Sequence, residues 1–124
     1  MIFKDITDTN FNGIDISSHH EFNHEKVYYY EDQATQLISL IAVHSTVKGP
    51  AIGGCRYRQY DSFADGLTDV LRLSRGMTDK NNVAGIPFGG GKAVIFKQKV
   101  KSKNLLKSFA AFLNCLNGTY ISAE

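Results

Sequence analysis

Cysteine is scarce in this chain. There are two, Cys55 and Cys115, which form no CxxC pair and fall at no metal-ligand spacing. That excludes a disulfide scaffold or a zinc module and points to a reduced intracellular protein with ordinary buried thiols. An excess of one charge is missing too. Lys and Arg number 14 against 12 Asp and Glu, and they are scattered, so no electrostatic footprint for nucleic acid is visible. The one basic cluster, Lys97 to Lys103, reads as a solvated turn ahead of a helix. The N-terminus has Asp, Asn and Thr where a signal peptide needs an apolar stretch, and no apolar run approaches the length of a membrane span. The expectation is a cytoplasmic protein with no membrane partner.

What remains is a chain of 124 residues, 43% hydrophobic, enough for one domain with a real core and too little for two. Residues 1 to 25 are polar, and HHEFNHE (19 to 25) offers His19, His20 and His24. No cysteine or second acidic cluster joins them to define a metal geometry, so an exposed polar segment is the expectation and no metal is assigned. KVYYYED (26 to 32) is aromatic and β-branched, a strand. QLISLIAVHST (36 to 46) is apolar at nearly every position. Leu37, Ile41 and Val43 would face one side and Ile38, Leu40 and Ala42 the other, as in a central strand covered twice.

After the Lys48-Gly49-Pro50 turn, AIGGCRYRQ (51 to 59) is extended, interrupted by Gly53 and Gly54. Paired glycines within a strand mark a bulge or a close approach by a ligand. Asp61 or Ser62 caps a helix, with Asp65 placed for a capping box and Phe63, Leu67, Val70, Leu71 and Met77 along its core face. Lys80 follows Leu73 by two helical turns, near the buried side. AVIF (93 to 96) is a short strand after a glycine turn. Leu105, Phe109, Phe112, Leu113 and Leu116 mark a second helix ended by Asn117-Gly118, and TYIS (119 to 122) opens another strand. A chain that stops inside an element reads as cut.

The segment GIPFGGGKAVIF (85 to 96) carries the chemistry. It is not a phosphate loop of the GxxxxGK[ST] kind, because Ile86 stands where the first glycine belongs and Ala93 where the hydroxyl belongs. Nor does a GxGxxG follow a strand. Glycines 89 to 91 would instead bring backbone close to a small ligand and leave room above Lys92. Lys80 and Lys92, if they share a cleft, divide the work of gripping a carboxylate and moving protons.

By spacing alone that reading is weak. The run from Gly49 to Phe96, however, carries GPAIGG, RGMTDKN and GGGKAVI in order, and NGTYISAE follows at 117 to 124. Together these closely resemble the N-terminal, substrate-binding and dimerisation domain of the Glu/Leu/Phe/Val amino acid dehydrogenases, nearest the leucine branch, over about residues 26 to 124. The resemblance implies an α/β fold, an open mixed sheet flanked by helices, on residues 1 to 124 as one incomplete domain. The NAD-binding Rossmann domain would be absent from this chain.

It also implies site roles. Lys80 matches the lysine that anchors the substrate α-carboxylate. Lys92 matches the catalytic lysine that assists water attack on, or release from, an iminium intermediate. Gly53 and Gly54 would line the substrate pocket with Met77 beside them. The family's catalytic aspartate follows the glutamate matched by Glu124, one residue past this sequence. Asp79 stands where leucine enzymes often have Tyr, and would either weaken the grip of Lys80 or face solvent.

Ile52 stands where glutamate enzymes place a lysine for the second carboxylate. An unpaired buried anion is strongly disfavoured, so the expected substrate is an apolar L-amino acid, with leucine, valine and isoleucine ahead of phenylalanine. The implied reaction is reversible NAD-dependent oxidative deamination to a 2-oxo acid and ammonia, by a homo-oligomer. The alternative is a non-catalytic remnant that keeps only the substrate-binding and oligomerising fold.

Overall fold

The computed structural model describes residues 1–16, 23–97 and 103–122. Its elements are β1 (Ile2–Asp5), β2 (Asn10–Phe11), β3 (Ile14–Asp15), β4 (Lys26–Asp32), β5 (Leu37–Ser45), β6 (Ala51–Gly53), β7 (Cys55–Arg58), α1 (Phe63–Ala84), β8 (Gly89–Phe96), α2 (Lys103–Asn114) and β9 (Tyr120–Ser122). The main sheet runs β1-β4-β5-β8-β6-β9, with β7 also on β8. Pairing is antiparallel from β1 to β8, whereas β6 and β7 run parallel to β8 and β9 parallel to β6. This is the mixed sheet the sequence implied. Because Ala51 pairs with Gly89 and Cys55 with Ala93 in one register, β6 and β7 are a single strand broken at the glycine pair.

Strand β5 shows why both faces are covered. Leu37, Ile41 and Val43 join Tyr30, Ala93, Ile95 and the α2 residues Leu105, Phe109 and Phe112 in one core. Leu40 and Ala42 join Val27, Tyr29, Val94 and the α1 residues Leu67, Val70 and Leu71 in the other, with Ile38 packed against it. Strand period and helix period meet here, giving three layers, helix on sheet on helix. Each fully buried leucine or isoleucine contributes about 1.5–3 kcal/mol. Helix α1 begins at Ser62, whose Oγ accepts from the Asp65 N–H at 3.1 Å, and ends at Gly85 with φ 71°. That left-handed cap suits glycine.

Several expectations are corrected. The first residues are structured: β1 pairs with β4, β2 and β3 form a hairpin, and Ile6 and Ile16 are buried. Asn12 and Gly13 both have positive φ, the conformation an Asn-Gly hairpin turn adopts. Strand β8 begins at Gly89, not Ala93, so Lys92 lies inside a strand rather than at its start. Cys55 and Cys115 are exposed rather than buried, and neither is in a disulfide among the described residues. His19, His20, Glu124 and most of Lys97 to Lys103 lie outside the described residues. Among those residues, no helix is long and apolar enough to cross a membrane.

Candidate active site

The glycines of β8 are required by the protein itself. A Cβ on Gly90 would lie 2.5 Å from Cα of Thr78 on α1, with the Thr78 backbone nitrogen and hydroxyl closer still. At Gly89 a Cβ would run into the Ser45 carbonyl, and at Gly91 it would meet the Tyr120 ring at 2.7 Å. The glycines thus let α1, β5 and Tyr120 reach β8, where room for a ligand was expected. Asn81 reinforces the helix contact by donating from Nδ2 to the Gly89 carbonyl at 2.8 Å, both groups buried.

Lys92 pairs across the sheet with Ala42, which belongs to the core beneath α1. Strand alternation puts Gly90 on the same side, and the parallel pair Ile52 and Gly90 brings Ile52 there as well. Lys92 and Ile52 are half-buried, and so is Met77 on α1. Lys80 is exposed on α1 rather than near its buried side, a turn before the helix end, where a dipole role fades. Asp79 is exposed. Among the described residues, neither Lys80 nor Lys92 makes an ion pair. Lys92 and Ile52 thus share the side of the sheet that α1 covers, and Met77 and Lys80 lie on α1 itself, Lys80 exposed.

Gly53 and Gly54 form the break between β6 and β7. A Cβ on Gly53 would collide with the Gly91 carbonyl. The buried Tyr120 hydroxyl lies 2.8 Å from both glycine carbonyls, and burial raises its pKa. Tyr120 thus fixes both the glycine pair of β6 and the glycine run of β8. Sequence reasoning missed it, because nothing local in TYIS separates this tyrosine from an ordinary strand residue.

It also missed His44 and Thr78. His44 Nδ1 is hydrogen-bonded to Thr78 Oγ1 at 2.7 Å, and its ring meets that of His24 edge-on at 4.9 Å. The alternation in β5 already placed His44 with Leu40 and Ala42 on the α1 side. That was the available signal.

The other half of α1 is a structural hub. Buried Asp69 accepts from Arg56 at 3.1 Å, from Tyr60 at 2.6 Å and from Arg72 at 2.8 Å. Burial pushes its carboxyl pKa up, but the hydrogen bonds from Tyr60 and Arg72 and the nearby guanidinium charges outweigh this and hold it below the ordinary 3.8. A groove of about 510 Å³ beside it is lined by Arg58, Asp65 and Thr68, among others. Its carboxylate is already bound to three donors, so the hub ties β7 to α1.

A mixed sheet covered by α1 on one face and α2 on the other makes this an α/β domain. The Glu/Leu/Phe/Val dehydrogenase dimerisation-domain model matches residues 20–124, and the chain belongs to that family. It is 45% identical over 105 residues to leucine dehydrogenase of Geobacillus stearothermophilus, covering 83% of this chain and 29% of that protein. To valine dehydrogenase of Streptomyces virginiae it is 46% identical over 102 residues, covering 81% and 28%. Phenylalanine dehydrogenase of Caldalkalibacillus thermarum is 48% identical over 99 residues, with 78% and 27% covered. The crystal structure of L-tryptophan dehydrogenase from Nostoc punctiforme superposes with a TM-score of 0.84 at 39% identity, over 88% of this chain and 33% of that one. The chain thus spans less than a third of the length of these curated relatives.

Proposed function

We propose that this chain is the substrate-binding part of an NAD-dependent dehydrogenase that oxidatively deaminates an apolar L-amino acid, branched aliphatic side chains first. The observation that carries the reading is that Ile52 and Lys92 share the side of the sheet covered by α1, the helix that bears Met77 and Lys80, with both lysines free of ion pairs among the described residues. An exposed ammonium on α1 suits Lys80 to the substrate carboxylate. Lys92, half-buried within β8, would take a proton from the water that adds at the α-carbon and return it to the departing nitrogen. Gly53, Gly54 and Met77 would bound the space between them. The relatives named leucine, valine and phenylalanine dehydrogenases agree with an apolar substrate.

NAD would supply a hydride acceptor. Glycines 89 to 91 do not fit a dinucleotide cradle, since Thr78, Ser45 and Tyr120 already occupy the space beside them. No residue of this chain is proposed to hold the cofactor. The matched domain is described as a dimerisation domain, which supports assembly as a homo-oligomer.

Ile52 gives the test. Changing Ile52→Lys in the complete enzyme supplies a counter-charge for a second carboxylate and takes apolar surface from the substrate side chain. The leucine-to-glutamate ratio of kcat/KM should fall by about 100-fold or more, in line with the cost of leaving a buried polar group unpaired. An unchanged ratio places Ile52 outside the side-chain pocket.

A further inference from the structure

We infer that His44 is a positioning residue that fixes the lysine-bearing part of α1 against the GGGK strand, a role that rests on the proposed dehydrogenase reading. The first observation is a β-bulge. Val43 pairs with Gly91, but the next partner of β8, Gly90, is Ser45, so His44 is the extra residue opposite the glycines. A bulge sets two residues of one strand against one of its partner and bends the strand locally. Here the imidazole is directed at Thr78 Oγ1, 2.7 Å away. Thr78 is also the point of α1 that Gly90 must clear.

The second observation is a matching hold one turn earlier. His24 Nε2 is hydrogen-bonded to Ser74 Oγ, and Ser74 Oγ donates to the Leu71 carbonyl at 3.0 Å. Since the serine has one hydrogen and a carbonyl only accepts, His24 donates from Nε2. Ser74 and Thr78 are four residues apart and share the sheet-facing side of α1. The two imidazoles pack edge-to-face at 4.9 Å, so both holds form one unit.

Met77 and Lys80 flank Thr78 on the helix, and Lys92 follows Gly90 by two residues on the strand. Sliding α1 along β8 therefore changes the separation of the two lysines directly. The His44–Thr78 bond resists that slide. Small displacements of groups that orient a substrate carry large rate costs. His44 thus acts through Thr78 on Lys80 and touches no reacting atom.

The test uses His44→Ala and the near-isosteric Thr78→Val in the complete enzyme, each confirmed folded by circular dichroism. Either change should raise KM for the amino acid roughly 3- to 10-fold, as expected for losing one hydrogen bond, with KM for NAD unchanged. The double variant should be no worse than the singles, since both remove the same bond. His44→Asn, whose amide can occupy the place of Nδ1, should restore most of the loss. A lower melting temperature with both KM values unchanged would mean that the bond serves stability alone, and would overturn the inference. If the unsubstituted enzyme oxidises no amino acid, the reading itself fails and this inference with it. If it is active and both variants match it, only this inference fails.

Discussion

Replacing Lys92 with alanine in the complete enzyme is expected to lower kcat for amino acid oxidation by about 100- to 10,000-fold while leaving the fold intact. The rate term is what a positioned proton-transfer group ordinarily contributes. The intact fold follows from the surroundings of Lys92. Its ammonium makes no ion pair among the described residues, and its cross-strand partner is the small Ala42. Deleting it therefore strands no buried partner charge, the usual reason that removing a charged side chain unfolds a protein. Lys92→Met keeps the apolar stem and loses only the ammonium. If the two variants lose activity equally and melt like the parent, the ammonium is responsible. Unchanged turnover in either would remove Lys92 from the mechanism.

A second large effect is expected in stability rather than in rate. Gly90→Ala should destabilise the domain by about 3 kcal/mol, at the upper end of overpacking costs. The obstruction is helix backbone, with Cα of Thr78 2.5 Å from the added carbon, and backbone gives less readily than the tip of a side chain. Because Asn81 anchors the same turn to Gly89, the helix moves only by breaking that bond too. Gly76, exposed in the middle of α1 with nothing beyond its own stretch of helix within 4 Å of an added Cβ, is the control. Gly76→Ala should stabilise by about 0.5–1 kcal/mol, because alanine loses less backbone entropy in a helix. Urea denaturation of the two variants beside the parent measures opposite shifts in midpoint. A Gly90→Ala midpoint equal to or above that of the parent contradicts the close packing of β8 on α1.

These expectations show where the sequence was legible. Strands β4 and β5 and helix α1 have strong local patterns: aromatic and β-branched residues, two apolar faces, and a serine cap with helical spacing. The residue run Gly89 to Gly91 read as a turn because glycine disfavours strands. It is extended because β5 pairs on one side and β6 on the other, a tertiary cause that no local window contains. The same limit hid the bulge at His44, since a bulge exists only relative to a partner's register. Tyr120 was hidden because its hydroxyl reaches carbonyls 66 and 67 residues away in sequence. The Asn12-Gly13 hairpin was legible and was passed over in a segment read as merely polar. At the site, the resemblance supplied Lys80, Lys92 and Ile52, and alternation along β8 and β6 accounts for Lys92 and Ile52 sharing a side. The exposure of Lys80 was not legible, because counting turns from Leu73 gives a direction but not the depth of the neighbouring layer.

The central claim is an apolar side-chain pocket beside Lys80, which holds the substrate carboxylate, and Lys92, which moves the proton. Its most direct test is the NAD-dependent deamination rate of the complete, unsubstituted enzyme with leucine, valine, isoleucine, phenylalanine and glutamate in parallel. The account predicts the highest kcat/KM for a branched aliphatic substrate, phenylalanine behind it, and glutamate lowest. Glutamate as the best substrate, or no oxidation of any of the five, would contradict it.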